Sequence, residues 1–256
     1  MKLGFIGTGA LTSAIVTGLK SVPDNSVSVL LSPRNEEIAS GLASRYADVQ
    51  VAADNQAVLD SCDTIMLAVR PQSAHDVLSE LRFRPDHHVV SLIATLSREE
   101  VAGLIGPVAQ VTKALPMPMI AHRQGPIIIS PRDERISALF GKLGKVIEID
   151  EAAEFDALSV VTATFATYFK YLDAIQTWLR DHGVADAKAR DYVVTLYKAL
   201  TNAPDTMPDA DFMHLARDYA TRGGINEQIL RELTARGVFD MFAESLDGVH
   251  RRITAS

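Results

Sequence analysis

The chain has 256 residues, is 47% hydrophobic and 22% charged, and carries a formal net charge of −7. This is enough for one large or two ordinary globular domains, and the negative balance offers no basic footprint for nucleic acid or anionic lipid. The apolar runs are strand-sized, too short to span a bilayer, and the single cysteine, Cys62, excludes an intramolecular disulfide and points to a reducing cytoplasm.

Residues 1–18 read MKLGFIGTGALTSAIVTG. Residues 2–6 form a short apolar strand, Gly7-Thr8-Gly9 a tight turn, and residues 10–20 a helix. A glycine turn between strand and helix leaves backbone N–H groups free at the helix N-terminus, where a pyrophosphate can sit. The GxGxxG fingerprint is incomplete, because Thr12 stands where its third glycine falls. The end of the second strand reads Leu30-Leu31-Ser32-Pro33-Arg34-Asn35. Sites selective for NAD place Asp or Glu there to bind the ribose 2′-hydroxyl. Here no carboxylate repels a 2′-phosphate, Ser32 can donate to it, and Arg34 can pair with it, so NADP is expected. The fourth strand ends in Ala68-Val69-Arg70-Pro71, which lies on the ligand edge of such a sheet, and Asn55 can approach from the preceding helix.

Further apolar runs follow at 27–31, 49–52, 64–69, 89–94, 110–115, 126–130 and 145–149. Most lack period-two alternation, as strands buried on both faces do, which predicts a largely parallel sheet. Helices fit between them: 35–46 with Asn35 as N-cap, 73–81, one opened by a capping box at Ser97-Arg98-Glu99-Glu100, and 133–143 ended by Gly144. The alternation predicts a doubly wound α/β domain of the Rossmann type over residues 1–150.

After residue 149 the strands stop. Phe155, Leu158, Val161, Phe165, Phe169, Leu172, Ile175 and Leu179 recur three or four apart, with no Pro or Gly between. One helix over 151–181, roughly 45 Å long, is predicted. Helices at 185–200, 211–219, 225–235 and 238–252 complete an all-helical domain over 151–256, whose one very long helix points to a homodimer, with a self-contained helical bundle as the alternative.

Together GFIGTGALTSAI, SPRN, ADNQAVLDSCDTIMLAVRPQ, VVSLIA, Leu115-Pro116, IEIDEAAEFDALS and Arg222-Gly223-Gly224 resemble the pyrroline-5-carboxylate reductase family. The resemblance implies a Rossmann domain followed by a helical domain that interlocks with its twin, and NADPH-dependent reduction of a cyclic imine. It implies cofactor contacts at Gly7, Thr8, Gly9, Ala10, Leu11, Ser32, Arg34, Asn55, Ala68, Val69, Arg70 and Pro71. The departures fall on the substrate side. The family's arginine–hydrophobic–Met-Pro-Asn segment becomes Lys113-Ala114-Leu115-Pro116-Met117, and its Gly-Ser-Gly-Pro-Ala-Tyr motif is absent. Its carboxylate-binding Ser-Pro-Gly-Gly-Thr-Thr loop becomes Thr221-Arg222-Gly223-Gly224-Ile225-Asn226, so Thr221, Arg222, Gly223, Gly224 and Asn226 are the expected substrate contacts.

Hydride transfer to an imine asks the protein to position and desolvate the substrate and to supply one proton. Thr162 and Thr164 are the expected donors, although threonines within helices commonly bond to their own backbone. Two alternatives stay open: a hydroxyacid-type NADP dehydrogenase centred on Lys170, and a non-catalytic NADP-binding regulatory protein. The seven histidines show no metal-ligand spacing, and no metal is expected.

Overall fold

The structure, a computed structural model, describes residues 1–23, 26–106, 108, 110–207 and 209–254. It forms two compact units, Met1–Ser159 and a second from Val160 onward.

The first unit is built on eight strands: β1 Lys2–Ile6, β2 Ser28–Leu31, β3 Val49–Val51, β4 Thr64–Leu67, β5 His88–Ser91, β6 Gln110–Pro116, β7 Pro126–Ser130 and β8 Lys145–Glu148. Their order is β3-β2-β1-β4-β5-β6-β7-β8. The first six are parallel, β7 runs antiparallel to β6, and β8 runs parallel to β7. Helices α1 Ala10–Lys20, α2 Glu36–Arg45, α3 Asn55–Ser61, α4 Pro71–Ser79, α5 Arg98–Ile105 and α6 Glu134–Phe140 connect them.

The unbroken apolar runs have the cause the sequence suggests. Leu3, Phe5 and Met66 point into one buried cluster with Ile15 and Leu19 of α1 and Phe140 of α6. Ile6, Ile65 and Leu67 point into another with Leu59, Leu78 and Val101 from α3, α4 and α5. Both faces of the sheet are covered, so neither face of a central strand is free to be polar.

The first unit extends past residue 150. Phe155, on α7 Ala152–Val161, is 2% exposed and packs with Leu115, Met117, Ile128 and Ile149. The first turns of that helix therefore belong to the sheet unit.

The second unit holds α8 Phe165–Asp181, α9 Asp186–Leu200, α10 Ala203–Thr206, α11 Phe212–Tyr219, α12 Ile225–Ala235 and α13 Val238–Thr254. The single helix predicted over 151–181 is instead two, separated by a 3-10 turn at Thr162–Thr164. The Thr164 hydroxyl donates to Val161 O at 2.8 Å, a local bond that competes with helical continuation. So short a turn leaves the apolar spacing nearly in phase, which is why periodicity alone passes over it. No residue of α8, α12 or α13 is buried. Phe169 is 67% exposed and Phe212 79%, and Trp178, Ile225 and Ile229 are exposed as well.

Candidate functional site

The neighbours of β1 are β2 on one side and β4 on the other. The chain leaves β1 and β4 in opposite lateral directions, and such a switch point opens a crevice at the carboxyl ends of the strands. The turn after β1 fills it. Gly7 has φ 101°, and a Cβ on it would stand 2.5 Å from Ala68 O, so no side chain fits. Gly9 is the N-cap of α1, and a Cβ there would meet nothing within 4 Å. One glycine lets the backbone turn; the other leaves open space over a helix N-terminus. The third position of the fingerprint has a different solution. Thr12 is fully buried and its hydroxyl donates to Gly7 O at 2.8 Å, bracing the turn from inside the helix.

Ser32 also braces the turn. It is fully buried, and its Oγ accepts the Gly7 N–H at 2.9 Å. Thr8 Oγ1 donates to Ser32 O at 2.7 Å and lies 3.1 Å from Ser32 Oγ. The expectation that the Ser32 hydroxyl meets a phosphate is therefore corrected: burial commits that hydroxyl beneath the cradle.

A cavity of about 410 Å³ lies above this turn. It brings together Gly7, Thr8, Gly9, Arg34, Ala68, Val69 and Arg70 from the sequence-derived set. It adds Asn35, Glu36 and Ser73, which the sequence reading did not place there. Asn35 caps α2 by accepting the Ile38 N–H at 3.3 Å, and Ser73 sits in the first turn of α4. Helix starts next to strand ends were the available signal. Ala10 and Leu11 open α1 immediately after the turn, and Pro71 is the first residue of α4. Those three are outside the cavity lining, as is Asn55, the first residue of α3, whose cap is the neighbouring Asp54. Arg34 and Arg70 place two guanidinium groups on one cavity, a lining suited to a polyanionic ligand.

In the second unit, residues 221–224 form the turn before α12, with Gly223 at φ 75° and Gly224 as N-cap. Gly224 N donates to Thr221 O at 2.8 Å, and Gly223 N to Glu227 Oε2 at 2.6 Å. Both N–H groups are committed within the turn, while Thr221, Arg222 and Asn226 are exposed. Thr162 and Thr164 lie in the 3-10 turn, half-buried. Lys170, the centre of the dehydrogenase alternative, is an exposed partner of Asp173 at 2.6 Å.

The sequence family described as NADP oxidoreductase coenzyme F420-dependent matches residues 2–95, the stretch holding the turn and both arginines. A pyrroline-5-carboxylate reductase of Corynebacterium melassecola is 26% identical, over 94% of this chain and 93% of that one. One of Pseudomonas aeruginosa is 22% identical, over 98% and 95%. The crystal structure of 1-pyrroline-5-carboxylate reductase from Streptococcus pyogenes aligns with a TM-score of 0.87 at 23% identity, over 100% of this chain and 99% of that one. Along nearly its whole length the chain is similar to pyrroline-5-carboxylate reductases. It has their fold.

Other buried polar groups of the first unit lie outside the cavity lining. His88 Nε2 lies 2.5 Å from Asp133 Oδ2, which also accepts from Thr112 Oγ1 at 2.6 Å, while Asp133 Oδ1 caps α6 through the Ile136 N–H at 3.1 Å. His87, just before β5, and His88, its first residue, both have buried and bonded rings. The Cys62 thiol is buried, and burial raises its pKa, in keeping with a structural role. Lys113 is buried on β6, and burial holds its ammonium below the ordinary lysine range.

Proposed function

We propose that this chain is an NADPH-dependent reductase of the C=N bond in a small cyclic imine acid of the pyrroline-5-carboxylate type, the closing step of proline biosynthesis. It works in the cytoplasm as a homodimer built through its second unit. One observation carries the reading. A glycine-turn cradle with two arginines opens at the switch point of a chain that is similar to these reductases from end to end. The domain roles follow: the sheet unit, Met1–Ser159, binds the dinucleotide, and the helical unit from Val160 onward serves substrate and dimerisation.

The cradle fits the cofactor. The space over Gly9 at the start of α1 accepts a pyrophosphate, and a Cβ there would narrow it. Arg34, past the end of β2 with no carboxylate at the strand terminus, is the group to pair with a 2′-phosphate. When bound, the dinucleotide supplies the hydride. The chain's own residues hold and shield the reactants. Arg222 and Asn226, with Thr221, are the groups to receive the substrate carboxylate, by charge and by side-chain donors, and the Gly223-Gly224 turn holds them in place. Thr162 and Thr164 are the candidates to pass a proton to the ring nitrogen, Thr164 only on releasing its bond to Val161 O. The reaction balances as one hydride to the imine carbon and one proton to nitrogen, giving a cyclic amino acid and oxidised cofactor.

Two features support the assembly and the location. The unburied apolar faces of α8, α12 and α13 suit cover by a second copy. The lone, unpaired Cys62 suits a reducing compartment. The test is a turnover panel: a cyclic imine acid and a 2-keto acid with NADPH and with NADH, and a 2-hydroxy acid with NADP+ and with NAD+. Oxidation of NADPH by the cyclic imine acid is expected. Cofactor binding with no turnover of any member would replace the reductase with a binding protein.

A further inference from the structure

We infer that Lys113 is a positioning residue of the reduction: its ammonium ties the loop after β5 and the head of α7 to the last row of the sheet, setting the floor beneath the reacting end of the dinucleotide. The inference rests on the reductase reading above for its catalytic part only.

The sheet register places Lys113. Ile6 pairs with Leu67, Leu67 with Ser91, and Ser91 with Lys113, so the four share one row. The residues after Ile6 and Leu67 are Gly7 and Ala68, which line the cavity. Lys113 thus stands in the row where the cradle begins, on the side of β1 opposite β2 and Arg34. Ligands of such sheets lie outside the carboxyl ends of the strands, so the half of a dinucleotide beyond Gly9 would run past the ends of β4 and β5, and the loop at residues 92–97 is the one that leaves β5.

Lys113 holds that loop from below. It is 8% exposed; Nζ donates to Ala94 O at 3.4 Å and lies 4.3 Å from the centroid of the Phe155 ring. The adjacent residue is held as well, by Ser91, whose Oγ accepts the Ile93 N–H at 3.4 Å. Asp156 on α7 and Glu99 and Glu100 at the start of α5 attract the ammonium from farther away. None is within ion-pair distance among the described residues. A methionine would fill the space without the cost of burying a charge. What a cation adds is directional: one bond to a loop carbonyl and one ring face.

Full-length Lys113→Met and Lys113→Arg are compared with the unaltered protein by NADPH titration, steady-state kinetics and amide hydrogen exchange of the NADPH-loaded forms. Lys113→Met is expected to lower kcat about 10-fold or more, since a small misplacement of a reacting pair is costly. NADPH affinity should stay within about 2-fold, because the cradle is untouched. Exchange at residues 92–97 should speed up, and Lys113→Arg should restore both kcat and protection. An unchanged kcat in Lys113→Met, or a Lys113→Arg as impaired as Lys113→Met, overturns the inference. So does unaltered exchange over 92–97. If the unaltered protein reduces no cyclic imine acid, the reductase reading fails alone, and exchange over 92–97 still decides whether Lys113 holds the loop.

Discussion

The two units solve the problem of apolar surface in opposite ways. In the first, a sheet buried on both faces leaves Leu3, Phe5, Ile65 and Leu67 without solvent contact. In the second, α8, α12 and α13 bury nothing of their own, and Phe169, Phe212 and Ile225 stand mostly in water. The first unit is complete as a single copy. The second carries a stock of apolar area that on the dimer reading is covered only by another chain. The cofactor side should then tolerate dilution, while the substrate side should not.

Truncations on either side of that contrast test it most strongly. Phe5→Ala empties a fully buried site and should cost about 3–5 kcal/mol in chemical unfolding. Phe169→Ala removes a ring already 67% exposed. It should leave the unfolding of dilute, monomeric protein within about 0.5 kcal/mol, yet weaken self-association in sedimentation experiments. Equal losses from the two, with no change in association, would erase the contrast.

Arg34→Ala sharpens the cofactor side. Removing a charge-assisted bond is worth about 1.5–3 kcal/mol, so the NADPH KM should rise about 10- to 100-fold. That for NADH should barely move. Equal effects on both cofactors would mean that Arg34 does not read the 2′-phosphate.

The smallest effect is on pH. His87 is fully buried, its Nδ1 accepts the Arg84 N–H at 3.0 Å, and its Nε2 faces Leu59 O at 3.0 Å. This arrangement needs the neutral ring, and burial holds the His87 pKa below its ordinary value. The unfolded chain therefore takes up the proton first. The His87 contribution is intact above the unfolded value of about 6.5 and is lost as pH falls through it toward the folded value. Tm should decline over that window, and His87→Gln should flatten the decline. A slope unaffected by His87→Gln would locate the acid sensitivity elsewhere.

The sheet was legible in the sequence because doubly covered strands read as unbroken apolar runs, and all eight runs are strands. The glycine turn was legible because strand, turn and helix must follow one another for its chemistry. Less was visible where a local bond redirects the chain or a side chain. Nothing in the spacing from Phe155 to Leu179 marks the 3-10 turn at Thr162–Thr164, since the apolar phase runs through it. The sequence shows Ser32 at a strand end but not that its hydroxyl already receives the Gly7 N–H. Lys113 sits in an apolar strand without a sequence partner; its partners, Ala94 O and the Phe155 ring, come from distant segments.

The most direct test of the central claim is the oxidation of NADPH by full-length protein on addition of pyrroline-5-carboxylate, followed across a range of protein concentrations. The account predicts NADPH oxidation with proline as product, and a specific activity that falls on dilution as the second units separate. NADPH bound at the cradle but never oxidised by this imine would contradict it.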